Sequence, residues 1–306
     1  MDNAQPALAP TLAAISDPMM AGQPKSRGLL SDTLRRVARN PGALIGLIVL
    51  LAIVLLTLLA PVVAPYDPTR QDTQAIRLGP SLNHLFGTDT FGRDVLSRVL
   101  YGGRYSLPVG LVAVAVASLF GVLAGLAAGY YGRWVDTIIM RFVDILLALP
   151  GILMVMAIVA ILGGGIFNLM IAVGLAAIPD YTRVVRGAVL SVRESEYVTA
   201  TRVLGATGPR IMLRHILPNV LPPVIVLMTL GIAGAILLGS TLSFLGLGIQ
   251  PPTPEWGNML ADGRTILRTA WWVSFFPGLA IAVTVLAINL LGDGLRDALD
   301  PRLRNR

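Results

Sequence analysis

The segment 196–219, EYVTATRVLGATGPRIMLRHILPN, is a polar island between two long apolar stretches, and it decides how the chain is divided. It predicts a short helix over 197–204 and a break at Gly205, with Gly208 and Pro209 following. A second short basic helix is predicted over 210–216, ending at Pro218. The order of these elements indicates a folded loop with a defined structure rather than a flexible linker between two helices.

Composition places the chain among polytopic membrane proteins. Of its 306 residues 55% are hydrophobic and only 13% are charged, and the mean hydropathy is +0.73. Cysteine is absent, which excludes disulfides, thiolate nucleophiles and cysteine-ligated metals. His84 and His215 are too far apart for a helical ligand pair, so we expect no metal site. The net charge of +7 is interpreted as membrane topology, not nucleic-acid binding.

Five charge-poor runs are long enough to cross a bilayer, which takes about 20 helical residues. The third run contains the triplet 163–165, Gly-Gly-Gly, which a stable helix interior would not carry, so it is split into two spans. The sequence therefore predicts an all-α integral membrane protein with six transmembrane helices, near 44–64, 106–130, 138–162, 166–188, 219–246 and 273–292.

Basic residues give the orientation, because Lys and Arg collect in cytoplasmic segments. With the N-terminus inside, the cytoplasmic segments hold 17 of the 24 basic residues. The other seven lie in two longer outer loops, where the charge rule is weakest. A five-span arrangement would place either the polar island or the arginine-rich C-terminus outside. We therefore predict that both termini are cytoplasmic.

The remaining segments complete the predicted organisation. Residues 1–27 predict a disordered cytoplasmic tail, and 28–64 an interfacial helix (29–40) followed by the first span. Residues 65–105 predict an external region, and 106–292 a five-helix core that includes the cytoplasmic loop 189–218. Residues 293–306 predict a cytoplasmic tail.

Three small-residue positions and two ion pairs are predicted to be structural. Gly121, Gly125 and Gly129 recur every four residues, which makes a smooth strip for close helix packing. Arg141 and Asp144 are spaced i,i+3, as are Asp180 and Arg183, so each couple predicts a neutralising pair on one helix.

Polar and aromatic residues of the outer loops are also predicted to be structural. Asp94 and Arg98 predict a surface pair, and no nucleophile or base accompanies them, so no catalytic residue is expected. We expect three tryptophans to act as membrane anchors where a span meets water: Trp256, Trp271 and Trp272.

The polar island resembles the conserved cytoplasmic loop of ABC importer permeases. The Glu-Ala-Ala-x-x-x-Gly core of that loop falls here on Thr199, Ala200, Thr201 and Gly205, with Thr at the first and third positions. The Ile-x-Leu-Pro-like ending falls on Ile216, Leu217 and Pro218. The form RHILPN at 214–219 resembles the dipeptide, oligopeptide and nickel branch.

Two outer segments resemble the C-type permease of the same branch. They are FGTDTFGRDVLSRVLYGGRYSL at 86–107 and LSFLGLGIQPPTPEWGNML at 242–260. The resemblance covers nearly the whole chain. It implies the type I ABC importer permease fold and a place in the bacterial inner membrane.

The resemblance further implies a heterodimer with a B-type permease, two cytoplasmic ATPases that bind ATP and Mg²⁺, an external substrate-binding protein and membrane lipid, with no cofactor on this chain. The loop would couple ATPase closure to the spans, with Ala200, Gly205, Ala206 and Arg210 as contact and turn positions. Peptides are the expected substrate; nickel, glutathione or another small solute is the alternative. A secondary transporter would need ionisable coupling groups at mid-membrane, and a membrane hydrolase would need a nucleophile with a base. Neither arrangement is visible.

Overall fold

The computed structural model describes residues 36–299. Within that range the chain is helical, apart from loops and one isolated antiparallel bridge between Thr88 and Asp94. The predicted tail 1–27, most of the predicted interfacial helix and the end of the C-terminal tail lie outside it. The helices are α1 (Pro41–Leu58), α2 (Ala60–Val63), α3 (Val95–Tyr131), α4 (Arg133–Leu147), α5 (Gly151–Leu162), α6 (Ile166–Arg193), α7 (Glu196–Val203), α8 (Gly208–Ile211), α9 (Leu217–Phe244), α10 (Trp256–Arg264) and α11 (Trp272–Leu299).

Four helical segments within residues 36–299 are long and apolar enough to cross a membrane. They are Pro41–Leu58, Val95–Tyr131, Gly208–Phe244 and Trp272–Leu299, and the pair of α4 and α5 makes a fifth if it is one span. The helix α6 is not among them; it carries Asp180, Arg183 and Arg186. Its 28 residues nevertheless extend over about 42 Å.

The segment predicted as one span over 138–162 is two helices that meet at an angle of 94°. Pro150 stands at the break, between the end of α4 and Gly151 at the start of α5. A proline cannot donate to the preceding turn, and it disfavours helical geometry in the residue before it, so the straight helix ends here.

Helices α3 and α6 form the most extensive contact of the bundle. Gly121, Gly125 and Gly129 face α6, where a Cβ at residue 125 would lie 2.6 Å from the Cβ of Val185. A Cβ at residue 129 would lie 2.7 Å from the Cβ of Val189. The two backbones therefore approach more closely than any residue larger than glycine would allow.

The first and last helices pack side by side at the edge of this core. Gly46 of α1 lies against the backbone of α11, since a Cβ there would be 2.6 Å from the carbonyl oxygen of Ala287. The long helix α9 packs between α3, α6 and α11. Residues 293–299, predicted as part of a tail, continue α11.

The start of α3 at Val95 is set by a cap rather than by hydrophobicity, and it precedes the predicted start at 106. The Asp94 carboxylate accepts hydrogen bonds from the Ser97 N–H (2.8 Å) and from the Ser97 hydroxyl (2.7 Å). An aspartate at this position satisfies donors that the first helical turn leaves open.

Candidate functional site

The polar island forms a short helix with defined ends. Helix α7 follows Ser195, carries Glu196 in its first turn and Arg202 in its last, and so places each charge where the helix dipole favours it. Gly205 then turns the chain with φ +82°, and its N–H bonds to the carbonyl of Arg202. Glycine is the residue that adopts this conformation without strain.

The second half of the island differs from the prediction of a separate basic helix over 210–216. The short α8 continues through a π turn, Met212–Ile216, straight into α9. The N–H of Leu217 bonds to the carbonyl of Met212, which widens the turn just before Pro218. Pro218 stands in the first turn of α9, where its missing N–H is tolerated, so it does not end the helix.

The inner face of α7 is fixed to the ends of the long helices. Val198 is fully buried and packs in a cluster with Leu126 of α3 and Val185 and Val189 of α6. Ile211, Ile216, Val220 and Val224 complete the same cluster from the second half of the island and from α9.

Hydrogen bonds join the two halves of the island. The Asn219 side-chain N–H donates to the Tyr197 hydroxyl oxygen (3.1 Å) and to the carbonyl of His215 (2.7 Å). Because Tyr197 belongs to α7 and Asn219 to α9, a displacement of α7 would be transmitted to α9 as well as to α6.

The outer face of α7 carries large apolar side chains in a polar setting. Val203 and Leu204 are 82% and 86% exposed. They border an open groove of about 560 Å³ whose other walls are Glu194, Glu196, Thr199 and Ala200. Exposed apolar groups rimmed by charge are typical of a protein contact surface. We call these six residues the α7 groove.

The predicted loop residues occupy different positions around this groove. Thr199 and Ala200 line it, whereas the Thr201 hydroxyl turns back and donates to the carbonyl of Tyr197 (2.7 Å). Ala206 is half-buried against the apolar cluster, and Arg210 is exposed on α8. The prediction missed Val203 and Leu204; two adjacent apolar residues at the end of a polar helix were the signal for them.

Ion pairs hold α4 against the C-terminal half of α6. The Arg186 guanidinium binds both carboxylate oxygens of Asp136, with the Nη2 to Oδ2 distance at 2.7 Å. Asp144 pairs with Arg183 at 2.9 Å, so the predictions of an Arg141–Asp144 pair and an Asp180–Arg183 pair are both wrong. Spacing along one helix cannot reveal a partner that a second helix brings closer.

A second polar cluster lies at the other end of α3 and is buried. Arg93 and Arg98 are each 1% exposed and share the carboxylates of Asp89 and Asp262. Burial raises the pKa of Asp262, and the two nearby arginines oppose that rise. The predicted Asp94–Arg98 surface pair is wrong, since Asp94 caps α3 and contacts His84 instead.

Two of the three outer tryptophans are part of this folded end rather than membrane anchors. The indole N–H of Trp256 donates to the carbonyl of Val99 (2.9 Å) and that of Trp272 to the carbonyl of Thr88 (3.0 Å). Both side chains are buried, whereas Trp271 is 49% exposed. The contacts tie α10 to the first turns of α3, and α11 to the region before α3.

The described residues hold no group of three or more His, Asp or Glu side chains placed to bind a metal ion. Several of their polar side chains join one helix to another, among them Asp136, Asp144 and Asn219. At one end of the bundle, the exposed α7 groove is joined by packing and hydrogen bonds to two long helices.

Comparison with known protein families identifies the family of this chain. Residues 121–305 match the family described as binding-protein-dependent transport system inner membrane component. The chain belongs to this family. The permease also matches, over residues 28–80, the N-terminal transmembrane domain of oligopeptide transport permease C. It is thus an inner-membrane permease of an ABC importer with the C-type N-terminal region, as the sequence predicts.

Curated relatives cover almost the whole permease. It is 49% identical to the di/tripeptide transport system permease protein DppC of Pseudomonas aeruginosa, over 90% of this chain and 93% of that protein. It is 46% identical to the dipeptide transport system permease protein DppC of Alkalihalophilus pseudofirmus, over 90% of each. The glutathione transport system permease protein GsiD of Escherichia coli is also 46% identical, over 88% of this chain. All three are named as transport permeases.

A solved structure supports the fold. A chain of the inward-facing MetNI methionine ABC transporter superposes with a TM-score of 0.55, covering 66% of the permease and 96% of that chain. The sequences are 19% identical, so this likeness concerns the fold alone.

Proposed function

We propose that the permease imports di- and oligopeptides as one of two membrane subunits of an ABC importer. The names of the most similar curated relatives support the substrate class. The observation that carries the coupling role is the α7 groove, an exposed apolar surface on a helix bound to both α6 and α9.

The proposed topology has six spans with both termini in the cytoplasm. The α4–α5 pair is counted as one broken span, and α6 completes the six, with its Arg186 paired to Asp136 and its Arg183 to Asp144 of α4. The distribution of arginines supports this orientation, since α7, Arg210 and Arg214 share one end with Arg183, Arg186 and Arg193.

The proposed assembly contains a second, B-type permease, two cytoplasmic ATPases and an external binding protein, surrounded by lipid. ATP and Mg²⁺ would bind to the ATPases. The α7 groove would receive part of one ATPase, because Val203 and Leu204 offer an apolar surface that water otherwise covers. Closure of the ATPases would then displace α7 and, through Val198 and Asn219, tilt α6 and α9.

A second candidate substrate is glutathione, which the relative GsiD is named for at 46% identity. Nickel and other small solutes are the remaining alternative substrates of the same ABC importer. Secondary transport without ATP is the alternative from another class.

Purification through a tag on the permease, followed by reconstitution into liposomes, tests the proposal. Two ATPases and a second permease should copurify, and dialanine uptake should require ATP and the binding protein. Uptake that persists without ATP and collapses with a protonophore would contradict the proposal, whereas ATP-driven uptake of glutathione alone would replace only the substrate.

A further inference from the structure

A carboxylate in the middle of α6 faces a half-open cavity between helices. Asp180 is exposed and lines a space of about 280 Å³ between α3, α5, α6 and α9. The remaining walls are small or apolar apart from Tyr181, and include Ala113, Ala177, Gly231 and Ala235. Asp180 is the charged residue of this lining.

Asp180 has no partner among the described residues. The i,i+3 spacing would give it Arg183, but that guanidinium binds Asp144 of α4 at 2.9 Å. Within 36–299 neither a hydrogen bond nor an ion pair involves the Asp180 side chain. The carboxylate is therefore available to a cation that enters the cavity.

Asp180 lies near the middle of α6. It is the fifteenth residue of a helix of 28, about 20 Å from either end. In the proposed topology α6 crosses the membrane, where an ionisable side chain usually faces a water-filled path or binds a transported group.

We propose that Asp180 binds the α-ammonium group of a peptide while it crosses the permease. This inference rests on the proposed function. A peptide carries a positive amino end at neutral pH, since the pKa of that group is about 8. A carboxylate is its natural partner through a charge-assisted hydrogen bond. The small apolar walls leave room for varied side chains without selecting among them.

The neighbours of Asp180 fix its position and connect it to the α7 groove. Tyr181 is buried and its hydroxyl donates to the carbonyl of Leu227 on α9 (3.3 Å), while Pro179 interrupts the helical hydrogen bonds just before. Because α7 is bound to both α6 and α9, a displacement of α7 changes the walls of this cavity. The ammonium site would thus open and close with the ATPase cycle.

Transport by the complete complex in liposomes gives the first test. In Asp180→Asn, dialanine delivered per ATP hydrolysed should fall about tenfold, which is the loss of one charge-assisted hydrogen bond. Asp180→Glu should restore most of it. Asp293→Asn, an exposed carboxylate of α11 outside the cavity, is the matched control and should leave the ratio unchanged. An unchanged ratio in Asp180→Asn, with wild-type import intact, would overturn this inference and leave the proposed function standing.

Binding to the complex in nanodiscs, without the binding protein, gives the second test. The wild-type complex should bind dialanine about tenfold more tightly than N-acetyl-dialanine, and Asp180→Asn should bind the two equally. Equal binding by the wild type would overturn the ammonium site. This measurement also decides the case in which Asp180→Asn fails to assemble, because it needs only the wild type. Wild-type liposomes that import no peptide at all would overturn both proposals.

Discussion

The glycine contact between α3 and α6 makes a prediction whose size follows from the distances. In Gly125→Ala, the new Cβ would lie 2.6 Å from the Cβ of Val185 and 2.8 Å from the carbonyl oxygen of Thr182. Carbon atoms in unstrained contact are about 3.5–4.0 Å apart, so the helices must separate by about 1 Å. The oxygen belongs to the backbone of α6, and no side-chain rotation relieves it.

Such overpacking costs about 1–3 kcal/mol. The thermal midpoint of the reconstituted permease, followed by size-exclusion chromatography after heating, should fall by roughly 2–12 °C. Gly187→Ala is the matched control, because Gly187 lies on the exposed face of α6 and a Cβ there meets no neighbouring atom within 4 Å. Alanine is favoured over glycine in a helix interior by about 0.5–1 kcal/mol, so this variant should be as stable as the wild type or slightly more. Equal midpoints for the two variants would refute the close helix contact.

Two further predictions concern the two ends of the bundle. Leu204→Glu should lower binding-protein-stimulated ATP hydrolysis at least tenfold with a stability change under about 0.5 kcal/mol, because Leu204 is exposed. Leu82→Glu, at a similarly exposed residue of the outer end, is the control and should leave ATPase copurification intact. Unchanged stimulation in Leu204→Glu would count against the α7 groove. Arg98→Met should destabilise the outer region by about 3–5 kcal/mol, since Asp89 and Asp262 lose a buried partner. Arg104→Met, at an exposed residue, should change the stability of that region by less than about 0.5 kcal/mol. Trypsin cleavage within 65–94 measures the difference, and equal resistance of the two variants would argue against a stabilising role for the buried cluster.

Local patterns predicted the elements that local physics decides. The helix of the polar island and the turn at Gly205 follow from short-range spacing, and the structure has both within a residue or two. The long apolar helices are also indicated by it, but α3 begins at Val95 rather than at 106, and the segment 138–162 is two helices. Two further local signals were present but unused: Pro150, where α4 ends, and the Asp94 cap with Ser97 that starts α3.

Contacts between distant segments could not be predicted in the same way. Asp144 has Arg183 as its partner, 39 positions away, and Arg93 reaches Asp262, 169 positions away. Trp256 and Trp272 resemble interfacial anchors in sequence, but the outer loops fold over them. The exposure of Asp180 to a cavity likewise depends on four helices at once.

The most direct test of the account is to ask what touches α7 in the assembled importer. The chain contains no cysteine, so Val203→Cys carries the permease's single thiol and can be labelled with a photoreactive maleimide. Illumination of the intact complex should cross-link residue 203 to an ATPase subunit. The control is Leu82→Cys, labelled in the same way, because Leu82 is 96% exposed in the outer region; it should give no ATPase adduct. An ATPase adduct at residue 82 but none at residue 203 would contradict both the coupling site and the orientation.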